Sequence, residues 1–297
     1  MSERDPRLDD YLICYNWMPL VADHVIDFPQ EFYTKWGVQS LHEKKLFQPD
    51  DEINEGDVVF VKTDFIINGE FQEKWLPSID KPFKLVTGIS SYQIDREDSG
   101  YEKILENEYL QRWYCTNPPM KRHDKIQGVP IGFAEPNRLS SNQNVLKRLR
   151  RDRKPFEEKA NMFFIPWHDQ TTNSKRTEII NQVKKNEFVH MMASTMSMEP
   201  YNKLIDCYRY TICVQGSGND THRLYESLLM GCVPITIDCS IKHIFEDHGI
   251  PGYFIESWDD ITEDFYKEVS NTEHDFSNVE KFLQVSTHVD MILNDDI

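Results

Sequence analysis

Residues 210–237 read YTICVQGSGNDTHRLYESLLMGCVPITI. The opening run, residues 210–215, is β-branched and apolar, the pattern of a buried strand. Gly216-Ser217-Gly218-Asn219-Asp220 breaks it with turn chemistry. Asp220 or Thr221 is placed to cap a helix running to Met230, and Gly231 supplies the stop. Residues 232–237 form a second apolar strand. The whole is a β-loop-α-β unit of the kind that builds a parallel sheet. A glycine loop feeding a helix N-terminus presents backbone N–H groups and the positive end of the helix dipole, which suits phosphate. Arg223, in the first turn, adds a cationic fork. Glu226 follows three residues later on the same face. Two roles are open to it: accepting from the hydroxyls of a ribose, or pairing with Arg223 on the helix surface.

The chain has 297 residues, enough for one large or two medium domains. A hydrophobic fraction of 39%, with 17 Phe, 13 Tyr and 6 Trp, is enough to fill real cores. A net charge of −17 argues against a nucleic acid as partner and disfavours an anionic membrane surface. No run approaches the roughly 20 apolar residues of a membrane span. The N-terminal MSERDPRLDDYL has no signal-peptide hydrophobic core. A cytoplasmic protein is the expectation, in the host cytoplasm if the source is viral. The 6 cysteines include no Cys-x-x-Cys pair, so neither a disulfide framework nor a zinc site is expected.

In chain order, residues 11–15 form a short apolar run, a strand candidate. Residues 57–63 read as a buried strand ending at Asp64, and residues 82–87 as the next. In open α/β sheets ligands lie beyond the C-terminal ends of the strands, which makes Asp64 and the loop containing Asp95 candidates for acceptor contact. Further strands are expected at residues 112–116 and 129–133. The basic run Lys147-Arg148-Leu149-Arg150-Arg151-Asp152-Arg153-Lys154 marks a solvated helix near a domain boundary. Residues 161–166 open a second domain. His168 and Asp169 follow at that strand's C-terminal edge, and Arg176 stands near the start of the next helix. It reads either as a surface arginine or as a partner of Arg223 on a diphosphate.

The ordered pattern Gly216-x-Gly218-(x)4-Arg223-x-x-Glu226-(x)4-Gly231-Cys232-Val233-Pro234-Ile235 resembles the C-terminal signature of exostosin-like glycosyltransferases, in the character of their cytosolic bacterial and viral members. The order Trp113, Asn117, His123, Lys125 and Pro130-Ile131-Gly132 resembles their N-terminal domain more weakly. The resemblance implies an α/β chain of GT-B fold, two Rossmann-like domains facing across a cleft. Residues 1–145 would form the acceptor-side domain, residues 146–275 the nucleotide-sugar domain, and residues 276–297 a helix packing back on the first. It implies an inverting transfer from a UDP-sugar, UDP-xylose being one such donor, to a glycan hydroxyl. Arg176, Gly216, Ser217, Gly218, Asn219, Thr221, His222, Arg223 and Glu226 would hold the nucleotide. The general base would come from Asp64, with Asp95, His123 and His168 as further candidates.

No Asp-x-Asp, His-Glu-x-x-His or Walker pattern occurs, and Thr221 stands where a dinucleotide fingerprint needs its third glycine. The expectation is a mechanism with no metal and no cofactor beyond the donor, the arginines and the helix dipole neutralising the leaving diphosphate. Two other readings stay open. One is a nucleotide-sugar or glycan-binding protein without catalysis. The other is a nucleotide-sugar epimerase of GT-B-like architecture.

Overall fold

The computed structural model describes residues 5–35, 44–135, 141–166 and 173–294. The chain divides into two compact units, Met1–Ile131 with Gln284–Ile297, and Gly132–Leu283. Each unit is built on a five-stranded sheet in which every strand pair is parallel.

The first unit runs α1 (Arg7–Asp10), α2 (Met18–Val21), β1 (His24–Ile26), α3 (Gln30–Lys35), β2 (Asp57–Lys62), α4 (Thr63–Ile67), β3 (Phe83–Gly88), α5 (Tyr101–Leu105), β4 (Leu110–Cys115) and β5 (Ile126–Gly128). Its sheet order is β1-β2-β3-β4-β5. Leu46 adds a single parallel bridge to Val25, on the edge of β1 away from β2. The chain therefore leaves β1 toward Leu46 and returns to β2 on the other side. Parallel sheets need both faces covered, so their strands are apolar throughout rather than alternating. DVVFVK in β2 is buried at every position after its first. Val59, Val61, Leu85 and Trp113 pack one face against Phe65, Phe71 and Ile104.

The second unit runs α6 (Gln143–Asp152), β6 (Ala160–Ile165), α7 (Arg176–Val183), β7 (Val189–Met191), α8 (Met198–Ile205), β8 (Tyr208–Ile212), α9 (His222–Leu229), β9 (Val233–Ile237), α10 (Ile241–His248), β10 (Tyr253–Ile255), α11 (Glu263–Ser270) and α12 (Val279–Phe282). The sheet order β10-β9-β8-β6-β7 reverses between β6 and β8. Phe163, Ile165, Tyr210, Ile212, Val233 and Ile235 lie in its core. Helix α9 ends as the sequence requires. Gly231 takes φ 65°. Its N–H donates to the Leu228 carbonyl at 3.0 Å, and the Cys232 N–H to the Ser227 carbonyl at 2.9 Å. This is a Schellman closure, which satisfies carbonyls that the helix itself leaves unbonded.

The chain then re-enters the first unit. Gln284 bridges to Leu12, and α13 (Val285–Asn294) lies against the first sheet. Buried Lys84 on β3 donates to the carbonyls of Ile292 and Leu293 at 2.9 and 3.0 Å, and the Tyr114 hydroxyl donates to that of Met291 at 3.1 Å. A cation and a phenol thus cap the negative end of the last helix.

Several elements differ from the sequence reading. Residues 11–15 form no strand; Leu12 makes an isolated bridge to Gln284. The strand expected at residues 129–133 lies earlier, as β5, because Pro130 has no N–H to continue the ladder beyond Val129. Strand β8 starts two residues before residue 210 and stops at Ile212. The two units meet at Ile131/Gly132 and Leu283/Gln284. The basic run lies inside the second unit, and its charges are matched there. Arg148 pairs with Glu199 at 2.6 Å, Arg150 with Glu280 at 3.2 Å, and Arg153 donates to the Leu229 carbonyl at 2.9 Å. Among the described residues no helix is long and apolar enough to cross a membrane, and no group of three or more His, Cys, Asp or Glu is arranged for a metal ion.

Candidate nucleotide site

The glycine loop occupies the reversal point of the second sheet. Strand β6 leads to β7 on one side, and β8 begins the run to β10 on the other. In open α/β sheets such a point splays two loops apart at the C-terminal ends of neighbouring strands and leaves room for a ligand. The loop after β8 is residues 213–221, and the segment after β6 leads to Asn173 and Arg176.

Arg176 and Asn173 stitch these two segments together. Arg176 is 6% exposed, and its guanidinium donates from Nε to the Gln215 carbonyl at 2.9 Å and from Nη2 to the Val214 carbonyl at 3.1 Å. Asn173 Nδ2 donates to the carbonyls of Gln215 and Gly216 at 3.3 and 3.4 Å. Arg176 thus holds the backbone of the loop with two of its donors. It is buried, so it is not the surface arginine. Its planar fork spans two successive carbonyls, which an ammonium does less well.

Inside the loop, Gln215 Nε2 donates to Asn219 Oδ1 at 3.3 Å. Neither Gly216 nor Gly218 takes a positive φ. Ser217 is exposed and Gly216, Gly218 and Asn219 are half-buried. Asp220 is buried and accepts from the Tyr225 hydroxyl at 2.7 Å. Thr221 is the N-cap residue of α9, with extended φ and ψ, but its side chain makes no cap bond. Of the two residues expected to cap the helix, Thr221 takes the N-cap position without a side-chain bond, and Asp220 is bonded to Tyr225 within α9. Burial pushes the Cys213 thiol up to about 12, so at the mouth of the loop it is a neutral packing group and no nucleophile.

The first turn of α9 carries His222, Arg223 and, one turn on, Glu226. His222 Nδ1 lies 2.7 Å from the Gly132 carbonyl; since a carbonyl only accepts, Nδ1 carries the proton. Arg223 Nη1 donates to Glu226 Oε2 and to the Tyr201 hydroxyl, and its Cζ lies 4.9 Å from the Tyr201 ring centroid. The Tyr201 hydroxyl also donates to Glu226 Oε2 at 3.2 Å. Of the two roles open to Glu226, the structure displays the pairing with Arg223, at i,i+3 spacing and with both side chains less than a fifth exposed. Tyr201 lies 22 residues before Arg223 with no spacing that links them, so sequence alone had no signal for it. Asn173 sits three residues before Arg176, on a loop whose polarity hides it.

The base candidates are spread over different places. Asp64 is the second residue of α4, directly beyond the C-terminal end of β2, with Oδ2 3.1 Å from Lys62 Nζ. Asp95 sits half-buried in a turn of the loop after β3. His123 is exposed and precedes β5, at the edge of the sheet opposite to Asp64. Its Nδ1 accepts from the Lys125 N–H at 3.1 Å, which ties it to its own turn. That position removes it from the end of the parallel sheet where ligands lie. His168 lies outside the described residues.

Two Rossmann-like α/β domains define the class of chain: this is the domain content of the GT-B fold. No family model matches the sequence. No curated protein matches it either. Among solved structures it is similar to the UDP-GlcNAc 2-epimerase from Methanocaldococcus jannaschii, at 11% identity over 80% of this chain and 77% of that one, with a TM-score of 0.36. It is also similar to the wall teichoic acid polymerase TagF, at 8% identity over 80% of this chain and 88% of that one, with a TM-score of 0.20. Scores this low carry no argument about the site, which rests on this chain's own residues.

Proposed function

We propose that the second unit binds a nucleoside diphosphate sugar, UDP-linked, and that the protein is an exostosin-like inverting glycosyltransferase that passes the sugar to a glycan hydroxyl. The observation that carries the reading is the position of the Gly216–Asn219 loop: it lies at the sheet reversal, feeds α9, and is held by Arg176 and Asn173 from the opposite strand's loop. Such a loop aims backbone N–H groups at an anion. A diphosphate arriving there competes with Glu226 and Tyr201 for the Arg223 guanidinium. As Arg223 turns to phosphate, the Glu226 carboxylate is released to accept from ribose hydroxyls. Charge developing on the leaving diphosphate is met by Arg223 and the helix dipole, with no metal needed. In-line attack by the acceptor hydroxyl calls for a base, and Asp64 in the first unit is our assignment.

The test is thermal unfolding of the full chain with UDP-, GDP- and CMP-sugars, without and then with divalent metal. A ligand that binds only the folded state raises the melting temperature. We expect a rise with UDP and one UDP-sugar in the absence of metal. No rise with any nucleotide would refute the reading. Product analysis with the stabilising donor separates transfer from epimerisation and from binding without turnover.

A further inference from the structure

The three side chains that meet in the first half of α9 are joined asymmetrically. Arg223 Nη1 donates to the Tyr201 hydroxyl and to Glu226 Oε2, and the Tyr201 hydroxyl donates to the same Oε2 at 3.2 Å. Both bonds to the carboxylate thus fall on one oxygen. Among the described residues none falls on Oε1, and the Glu226 side chain is 16% exposed. Tyr201 is 8% exposed, with its ring centroid 4.9 Å from Arg223 Cζ. A phenylalanine ring would fill that space and meet the guanidinium as well. The buried hydroxyl costs desolvation unless it is bonded, so packing alone does not account for it.

The helix that carries Tyr201 is fixed from outside α9. Its C-cap residue Asp206 is buried, and its carboxylate accepts from the Lys154 N–H at 3.1 and 3.2 Å and from the Lys159 ammonium. That ammonium also donates to the Asp206 carbonyl at 3.0 Å. Near the start of α8, Arg148 of α6 pairs with Glu199 at 2.6 Å. A hydroxyl on an element held this way is a fixed point, whereas the long side chains of Arg223 and Glu226 turn about α9. When Arg223 turns to a diphosphate, Glu226 loses its cation. A carboxylate this enclosed then needs another donor. The Tyr201 hydroxyl supplies one without moving, because it already donates to Oε2.

We infer that Tyr201 is a positioning residue for the nucleotide site: it pins Glu226 Oε2, keeps the carboxylate in place when Arg223 leaves for phosphate, and so leaves Oε1 for the ribose. This role rests on the nucleotide reading above and extends it to selectivity. Free pyrophosphate uses Arg223 and the glycine loop but not Oε1, so a pinned carboxylate gives it nothing. A ribonucleoside diphosphate gains from a carboxylate that is already oriented. The Tyr201 hydroxyl also competes with phosphate for Arg223, but that competition acts on both ligands alike. The ratio of their affinities therefore reads the part that passes through Glu226. Tyr201 sets how strongly the site prefers a nucleotide to a bare diphosphate.

The experiment measures UDP affinity by calorimetry, and pyrophosphate affinity by displacement of UDP, on the full chain carrying Tyr201→Phe, alone and in a Glu226→Ala background. Tyr201→Phe is expected to lower the ratio of UDP to pyrophosphate affinity by about two- to tenfold, the cost of immobilising a side chain that the hydroxyl had held. Pyrophosphate affinity itself should be kept or raised, since Arg223 has one partner fewer to leave. In the Glu226→Ala background the same substitution should leave the ratio unchanged, the signature of a residue that acts through another. Melting curves establish that the variants are folded. Tyr201→His, whose shorter ring stops short of Glu226, serves if Tyr201→Phe does not fold. A purely structural Tyr201 would weaken both ligands together and leave the ratio where it was. An unchanged ratio in Tyr201→Phe, or an equal fall with and without Glu226, would overturn the assignment. Wild type that does not bind UDP sinks the nucleotide reading and this role with it. Wild type that binds UDP, with Tyr201→Phe matching its ratio, sinks this role alone.

Discussion

Replacing Arg176 with methionine tests whether the glycine loop is held from below or simply lies where it does. Methionine keeps part of the aliphatic stem and removes every donor. The Val214 carbonyl loses the 3.1 Å bond and the Gln215 carbonyl the 2.9 Å bond. Gln215 keeps Asn173 as a partner at 3.3 Å. Hydrogen bonds from a charged donor contribute about 1.5–3 kcal/mol each. Against this stands the relief of no longer burying a guanidinium in a residue only 6% exposed. The net expectation is a loss of about 2–4 kcal/mol from the second unit. In a domain of this size that lowers the melting temperature by about 4–16 °C. The assay is thermal unfolding followed by circular dichroism, with UDP affinity measured well below the variant's transition. Arg176→Lys should recover part of the stability, since one ammonium cannot span both carbonyls as the fork does. A variant that melts with wild type but loses UDP affinity would refute the loop-holding role and restore Arg176 as a direct phosphate ligand. A variant unchanged in both would remove it from the site.

Other consequences follow from the same geometry. Glu226→Gln should weaken UDP binding more than binding of free pyrophosphate, by about tenfold for the lost charge-assisted bonds to ribose; equal effects on both ligands, by calorimetry, would leave Glu226 as no more than the partner of Arg223. Chelation by EDTA should leave transfer intact once a donor and acceptor are known, and abolished transfer would contradict charge neutralisation by Arg223 and α9. Burial holds His248 and His274 below their ordinary 6.5. Both are neutral in either state above about pH 6.5; as pH falls below that, the unfolded chain takes up protons first. The second unit should therefore lose stability from about pH 6.5 downward, levelling once the folded-state values are passed. Urea unfolding across pH should show a shallower slope for His274→Phe, a ring that suits the surrounding Phe156, Tyr210 and Tyr253; an unchanged slope would exclude His274 as a source.

Residues 210–237 determined their own local structure. Apolar strand, turn-forming loop, helix and glycine stop are encoded by neighbours in sequence, and each reappears, down to Gly231 at φ 65°. The apolar runs that became β2, β3 and β9 were equally legible, because a strand buried on both faces is apolar at nearly every position. His24–Ile26 was not legible as a strand: three residues carry no period, and only pairing to β2 makes them one. The 129–133 assignment followed apolarity past a proline that the hydrogen-bond ladder does not pass.

What the tertiary structure alone decided is which side chains meet. The sequence placed Arg223 and Glu226 on one helical face, but Tyr201 enters from α8. It placed Arg176 near a helix start, but which carbonyls its guanidinium reaches depends on β6 and β8 being neighbours. Asp64 was visible as a residue at a strand end. That Lys62 turns to the carbonyl of Ile89, and that Asp27 and Tyr33 gather at the same sheet edge, follows from the order in which parallel strands are laid side by side. Local pattern is written by near neighbours, through backbone geometry and burial. A site is written by strand order, which brings together residues that no period in the chain connects.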